Sequence, residues 1–169
     1  MSASSAAEPT GRIVAFLRGI GIEVIEGEVP QDSFLPGLRI AAGRLVYDPA
    51  RLCWPGDLLH EAGHLAVMPA ALRGLLDDRI EVPPEAEHAG EIEAMAWSYA
   101  AVRALELDPA VLFHQGGYRG HSEGLLLSFG LGVYPGSGGL QAAGMSLSPA
   151  QAAAAGTQPY PSMQRWLRA

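Results

Sequence analysis

The chain contains no lysine and no asparagine, and a single cysteine, Cys53. One cysteine excludes an internal disulfide framework and suits a reducing compartment. All 11 basic residues are arginines, set against 18 acidic ones, which gives a formal net charge of -7. A net acidic chain with no basic run is not built to hold a phosphate backbone, so direct nucleic-acid binding is not expected. Aromatic residues make up only 7 % and are dispersed, which argues against a base-stacking surface. No apolar run approaches the 18 residues that a membrane span needs; the longest candidate, Gly124 to Val133, is interrupted by glycine. The opening "MSASSAAEPTG" lacks a charged segment followed by an apolar one, so a secretory signal is not expected and a cytoplasmic location is.

What is present is a composition for burial. Hydrophobic residues are 49 % of 169 and charged residues 17 %, enough for one domain with a real core. Residues 1–9 read as a loose tail, 10–107 as the core and 108–169 as an extension of short helices and loops. Thr10 caps a helix through "GRIVAFLRG". "IEVIEGEV" and "GLRIAAGRLVYDP" carry strand-type runs, the latter with a hairpin at Ala42-Gly43, so residues 22–48 are expected to form a small antiparallel sheet. Pro55-Gly56-Asp57 opens a helix that Pro69 stops after Met68. Residues 69–82 connect, with one short helical turn. The longest helix is expected from Pro84 to Leu107, followed by a short one from Asp108-Pro109 to His114. "HSEGLLLSFGLG", "SPAQAAAAG" and "PSMQRWLR" read as short helices, and "YPGSGGLQAAGMSLSP" as loop.

Inside the Pro55 helix stands His60-Glu61-Ala62-Gly63-His64, the pattern H-E-x-x-H. Positions i and i+4 share a helix face, so both imidazoles reach one ion. Neutral imidazole binds zinc with arms of about 2.0–2.1 Å. Glu61, angled off that pair, reaches a water that the metal acidifies and takes its proton during attack on a carbonyl. Gly63 weakens the helix by about 1 kcal/mol against alanine, which a close backbone approach by another element would explain.

A catalytic zinc takes three protein ligands and keeps one position open. Downstream donors are Glu85, Glu87, His88, Glu91, Glu93, His114 and His121. A second helix crossing the first would hold the third ligand rigidly, and "GEIEAMAWSYAAVRALEL" offers Glu91 and Glu93. They lie about 200° apart around a helix, so one of them faces the metal. Hydrophobic periodicity does not choose, because the faces of both look buried.

The order helix, small sheet, HExxH helix, Glu helix resembles a minimal gluzincin, similar to the ImmA/IrrE-type metallopeptidases. The resemblance rests on "DLLHEAGHLAV" and "EIEAMAWSYAA" and covers roughly residues 12–107. It implies an α+β fold, a small antiparallel sheet packed on a helical zincin core. It also implies one zinc ion, replaceable by other divalent transition metals, held by His60, His64 and Glu91. Glu61 is then the catalytic base of a peptidase acting on peptides or proteins, and a transcriptional regulator is a possible partner. Met95 and Trp97 depart from the family's usual Asn and Phe in the second motif. The rival expectations are a metal-dependent binding or regulatory module without turnover, and a structural zinc closed by His88 or His121.

For the oxyanion of a tetrahedral intermediate, Tyr99, Tyr118, His114, His121 and Tyr134 are candidate donors. The stretch "HQGGYRGHSEG", His114 to Gly124, gathers several of them in one glycine-rich turn able to lie over a cleft or to stand free in solvent.

Overall fold

The computed structural model describes residues 9–169; the expected tail at residues 1–9 falls almost wholly outside them. Helix α1 (Pro9–Gly19) leads into β1 (Val24–Glu26), β2 (Leu38–Ala41) and β3 (Arg44–Tyr47). Helix α2 (Pro55–Val67), the short α3 (Ala70–Arg73) and α4 (Glu91–Ala104) follow. Beyond two 3-10 turns at Pro109–Val111 and Tyr118–Gly120 come α5 (Ser122–Gly130), α6 (Ser137–Ala142) and α7 (Pro149–Ala155). The class is α+β.

The sheet is mixed, with strand order β1-β3-β2. Strands β2 and β3 form the expected antiparallel hairpin, turned by Ala42 and Gly43, both at positive φ (48° and 73°) as a two-residue hairpin of matching twist requires. Strand β1, however, pairs in parallel with β3, Val24 opposite Leu45, so the expectation of an all-antiparallel sheet is corrected. Alternating residues specify a strand but not its direction. Here the connection over residues 27–37 returns the chain so that β3 lies between the other two.

The longest helix starts at Glu91, not Pro84, and runs 14 residues. His88 adopts a left-handed φ of 59°, which breaks any helical course from Pro84. Glu93 Oε2 then accepts from the Gly90 N–H at 3.1 Å and caps the true start. Two further corrections fall in the extension. "GSGGLQA", read as loop, contains α6. "PSMQRWLR", read as helix, is an irregular strap whose Met163 bridges to Ser146.

Helices α2 and α4 pack at the centre. Leu58, Leu59, Leu65, Trp97 and Val102 are fully buried between the sheet, α1 and the C-terminal segments. Such side chains each contribute about 1.5–3 kcal/mol through apolar area removed from water. The two helices touch where Gly63 stands: a Cβ there would lie 2.5 Å from the Ala94 carbonyl oxygen. Ser98 Oγ, 2.7 Å from the Ala94 oxygen and 2.9 Å from that of Leu59, shares its proton between the helices. The last carbonyls of α2 are covered by Arg73, whose Nε donates to Leu65 at 2.8 Å, and by the Arg168 N–H, which donates to Ala66 at 2.9 Å. Trp97 Nε1 donates to the Trp166 carbonyl at 2.8 Å, fixing the strap against α4. Helix α2 is therefore held along one side and at its C-terminal end. No helix among the described residues is long and apolar enough to cross a membrane.

Candidate metal centre

His60 and His64 sit one turn apart on α2, their rings nearly perpendicular with centroids 5.0 Å apart. His64 is buried at 4 % exposure. Glu91, the first residue of α4, meets both: its Oε1 lies 2.9 Å from His60 Nε2 and its Oε2 lies 3.1 Å from His64 Nε2. Periodicity does not distinguish Glu91 from Glu93. Residues 93–102 of α4 are buried all round, so no face of the helix is distinguished by apolarity. Glu93 turns away, capping Gly90 and lying against Gly139 and, at 4.0 Å, His88.

Glu61 lies beside the imidazoles. One ligand atom from each of His60, Glu61 and His64 falls within 4.8 Å of the others. Burial raises the Glu61 pKa, opposed by the two histidines and reinforced by Glu91 and Asp57, so its carboxylate is a stronger base than an exposed glutamate. Burial draws the His60 pKa down, but the hydrogen bond and charge of Glu91 outweigh it, and the net shift is upward. The hydrogen bonds from His60 and His64 hold the Glu91 carboxyl well below the usual carboxylate range.

These residues line a cleft of ≈1090 Å³. Phe34, Leu35, Ile80 and Met95 supply apolar lining, and Trp54, Tyr118, Arg119 and His121 also line it. The glycine-rich turn thus lies along the cleft. Tyr118 stands against His60, its ring 5.6 Å from that of His60 and its hydroxyl 3.5 Å from His60 Nδ1. Its pKa is strongly raised by burial, then by Asp57, Glu91 and Glu61, so the hydroxyl keeps its proton. His114 is bonded to Asp57 at 2.7 Å. Tyr99 and Tyr134 are in the aromatic cluster around Phe129 instead. Of the rival fourth ligands, His88 lies beside Glu93, and His121 lines the cleft without joining the His60, Glu61 and His64 group.

No protein-family model matches the chain. No curated protein and no solved structure matches it either. A tetrahedral ion with arms of about 2.0–2.1 Å sets neighbouring donors about 3.3–3.4 Å apart. The His60–Glu91 and His64–Glu91 separations of 2.9 and 3.1 Å are hydrogen-bond lengths to two different carboxylate oxygens, a few tenths of an ångström shorter than that edge. Two imidazoles and a carboxylate suit zinc, and the same set accepts manganese, cobalt or nickel. The donors present fit such an ion.

Sequence reasoning missed Asp57 and Trp54 as neighbours of the site. Asp57 had a signal: it precedes His60 by three positions and so shares its helix face. Trp54 had none, because its partner lies 60 positions away.

Proposed function

We propose that the protein is a zinc-dependent metallopeptidase of the gluzincin type. The observation that carries this reading is the meeting of His60 and His64 Nε2 with the Glu91 carboxylate in an open cleft, with Glu61 beside them. His60, His64 and Glu91 would hold the ion. When bound, zinc acidifies a water and polarises a carbonyl.

The protein's own side chains do the rest. Glu61 accepts the proton of the attacking water and passes it to the departing amine, a role for which its raised basicity suits it. Tyr118 keeps its proton and stands with its hydroxyl at the Nδ1 edge of His60, on the other side of that ring from Nε2. The apolar lining of Phe34, Leu35 and Ile80 receives substrate side chains, and the cleft's openness suits an extended peptide. Retention of a carboxylate at position 61 favours turnover over a purely metal-holding role.

Glu61→Gln separates these. It preserves size and hydrogen-bonding reach but removes the base. Metal content measured by elemental analysis should be unchanged, while cleavage of a peptide library should fall by about 10²-fold or more. Equal cleavage by Glu61→Gln would remove Glu61 as the base, and full biological activity of Glu61→Gln in the native host would overturn the peptidase reading.

A further inference from the structure

Behind the cleft wall, the segment from His114 to Gly120 is assembled with unusual constraint. His114 is polar yet 6 % exposed. Its ring lies flat on Trp54, with centroids 4.4 Å apart and planes 6° from parallel. Against the ring stands Gly117, where a Cβ would lie 3.1 Å from His114 Cε1. Gly116 lies against Trp54, where a Cβ would fall 2.5 Å from Nε1. The Gly-Gly pair thus lets the backbone close on both rings. At its edge, His114 Nε2 is 2.7 Å from Asp57 Oδ1, and Asp57 sits one turn before His60 on α2. The His114 carbonyl accepts from Ser122 Oγ at 2.6 Å.

An ion pair with one partner buried and the other partly buried is a weak source of stability, because desolvation offsets much of the attraction. What this one provides is a fixed position for the turn relative to α2. The turn needs it. Tyr118 and Arg119 both take left-handed φ values, 55° and 51°, ahead of Gly120 at 80°. A left-handed residue with a side chain costs about 1–2 kcal/mol, and such strain persists where surrounding contacts over-determine it. Its result is that the Tyr118 ring stands edge-on to His60, at 84°, on the Nδ1 side, while Glu91 occupies the Nε2 side.

We infer that His114 is a positioning residue of the metal centre: clasped by Trp54, Asp57 and Gly117, it holds Tyr118 against the Nδ1 edge of His60 and so fixes the direction in which His60 presents Nε2. The inference rests on the reading of His60 as a ligand. An imidazole that binds through Nε2 carries its hydrogen on Nδ1, and the Tyr118 hydroxyl is the acceptor beside it. Outer partners of this kind change metal affinity by about 10–100-fold.

The test is a double-mutant cycle in Zn²⁺ affinity, measured by competition with a chromophoric chelator on the full chain. His114→Ala should weaken binding by about 10-fold or more. Tyr118→Ala should do the same, and adding His114→Ala to Tyr118→Ala should cost nothing further, because His114 acts through Tyr118. Trp54→Phe, which keeps a stacking surface, should stay near wild type, while Trp54→Ala should follow His114→Ala. If His114→Ala fails to fold, as judged by circular dichroism, the half-exposed Trp54→Ala takes its place in the cycle. Unchanged affinity in His114→Ala or its substitute overturns the inference. So does an equal loss in the Tyr118→Ala background, which would mark a general structural effect. His60→Ala reports separately on the underlying reading: wild type and His60→Ala binding Zn²⁺ equally would remove the metal centre itself.

Discussion

Glu91 Oε1 and His60 Nε2 stand 2.9 Å apart at the place where two helices, 23 positions of intervening chain between them, come together. The contact depends on Gly63 and Ser98, which let α2 and α4 approach until side chains at the start of one reach the middle of the other. The meeting of Glu91 with His60 and His64 and the packing of the two helices are therefore one geometric problem.

Glu91→Ala should weaken Zn²⁺ binding by far more than Glu93→Ala. Glu91 touches both imidazoles, whereas Glu93 caps Gly90 and packs on Gly139. Glu93→Ala should instead lower stability, by about 1 kcal/mol for the lost cap. A metal titration alongside thermal melting of both variants checks this. The reverse order would move the third ligand to Glu93.

His60→Ala and His64→Ala should each abolish tight metal binding, since two remaining donors do not hold zinc well. Elemental analysis of the purified proteins is the check, and about one equivalent per chain is expected for the wild type. Full metal content in both variants would dissolve the site.

Gly63→Ala is predicted to destabilise although alanine is the better helix former. Propensity alone would favour alanine by about 1 kcal/mol. The added methyl would lie 2.5 Å from the Ala94 oxygen and 2.9 Å from Ser98 Oγ, and backbone cannot yield cheaply. Overpacking of this kind costs about 1–3 kcal/mol. A lower melting temperature with weakened metal affinity is expected; a higher melting temperature would mean that α2 and α4 are not in close contact there.

The legible parts of this structure share a physical origin. H-E-x-x-H could be placed on a helix because Pro55 and Pro69 bracket it, and the small residue at 63 announced a close neighbour. The hairpin showed itself through Ala42-Gly43. What stayed hidden depends on contacts distant in sequence. The parallel pairing of Val24 with Leu45 follows from how residues 27–37 travel, which no local pattern encodes. Pro83-Pro84 imitates a helix opening ahead of α4, while the left-handed His88 that forbids one carries no signal of its own. The stack of His114 on Trp54 needed the fold to bring them together.

The final prediction concerns pH, with and without metal. In the metal-free protein His60 has a folded pKa above its ordinary value near 6.5. Its contribution is fully present below about 6.5 and is lost as pH rises through the raised value. Glu91 is depressed below its ordinary 4.5, so its contribution is present above that and is lost only as pH falls toward the depressed value. Both contributions are therefore complete between about 4.5 and 6.5. Glu61, raised by burial, binds its proton more tightly folded than unfolded and also pulls stability down as pH rises past 4.5. Metal binding has the opposite dependence, because it requires imidazole and carboxylate free of protons. The melting temperature of the metal-free protein should accordingly fall between pH 6 and pH 8, and the increment produced by Zn²⁺ should widen over the same interval. Thermal melting at matched ionic strength, with chelator and with excess Zn²⁺, measures both. A metal-free protein that gains stability from pH 6 to pH 8 would show that the His60–Glu91 pair is not formed in solution.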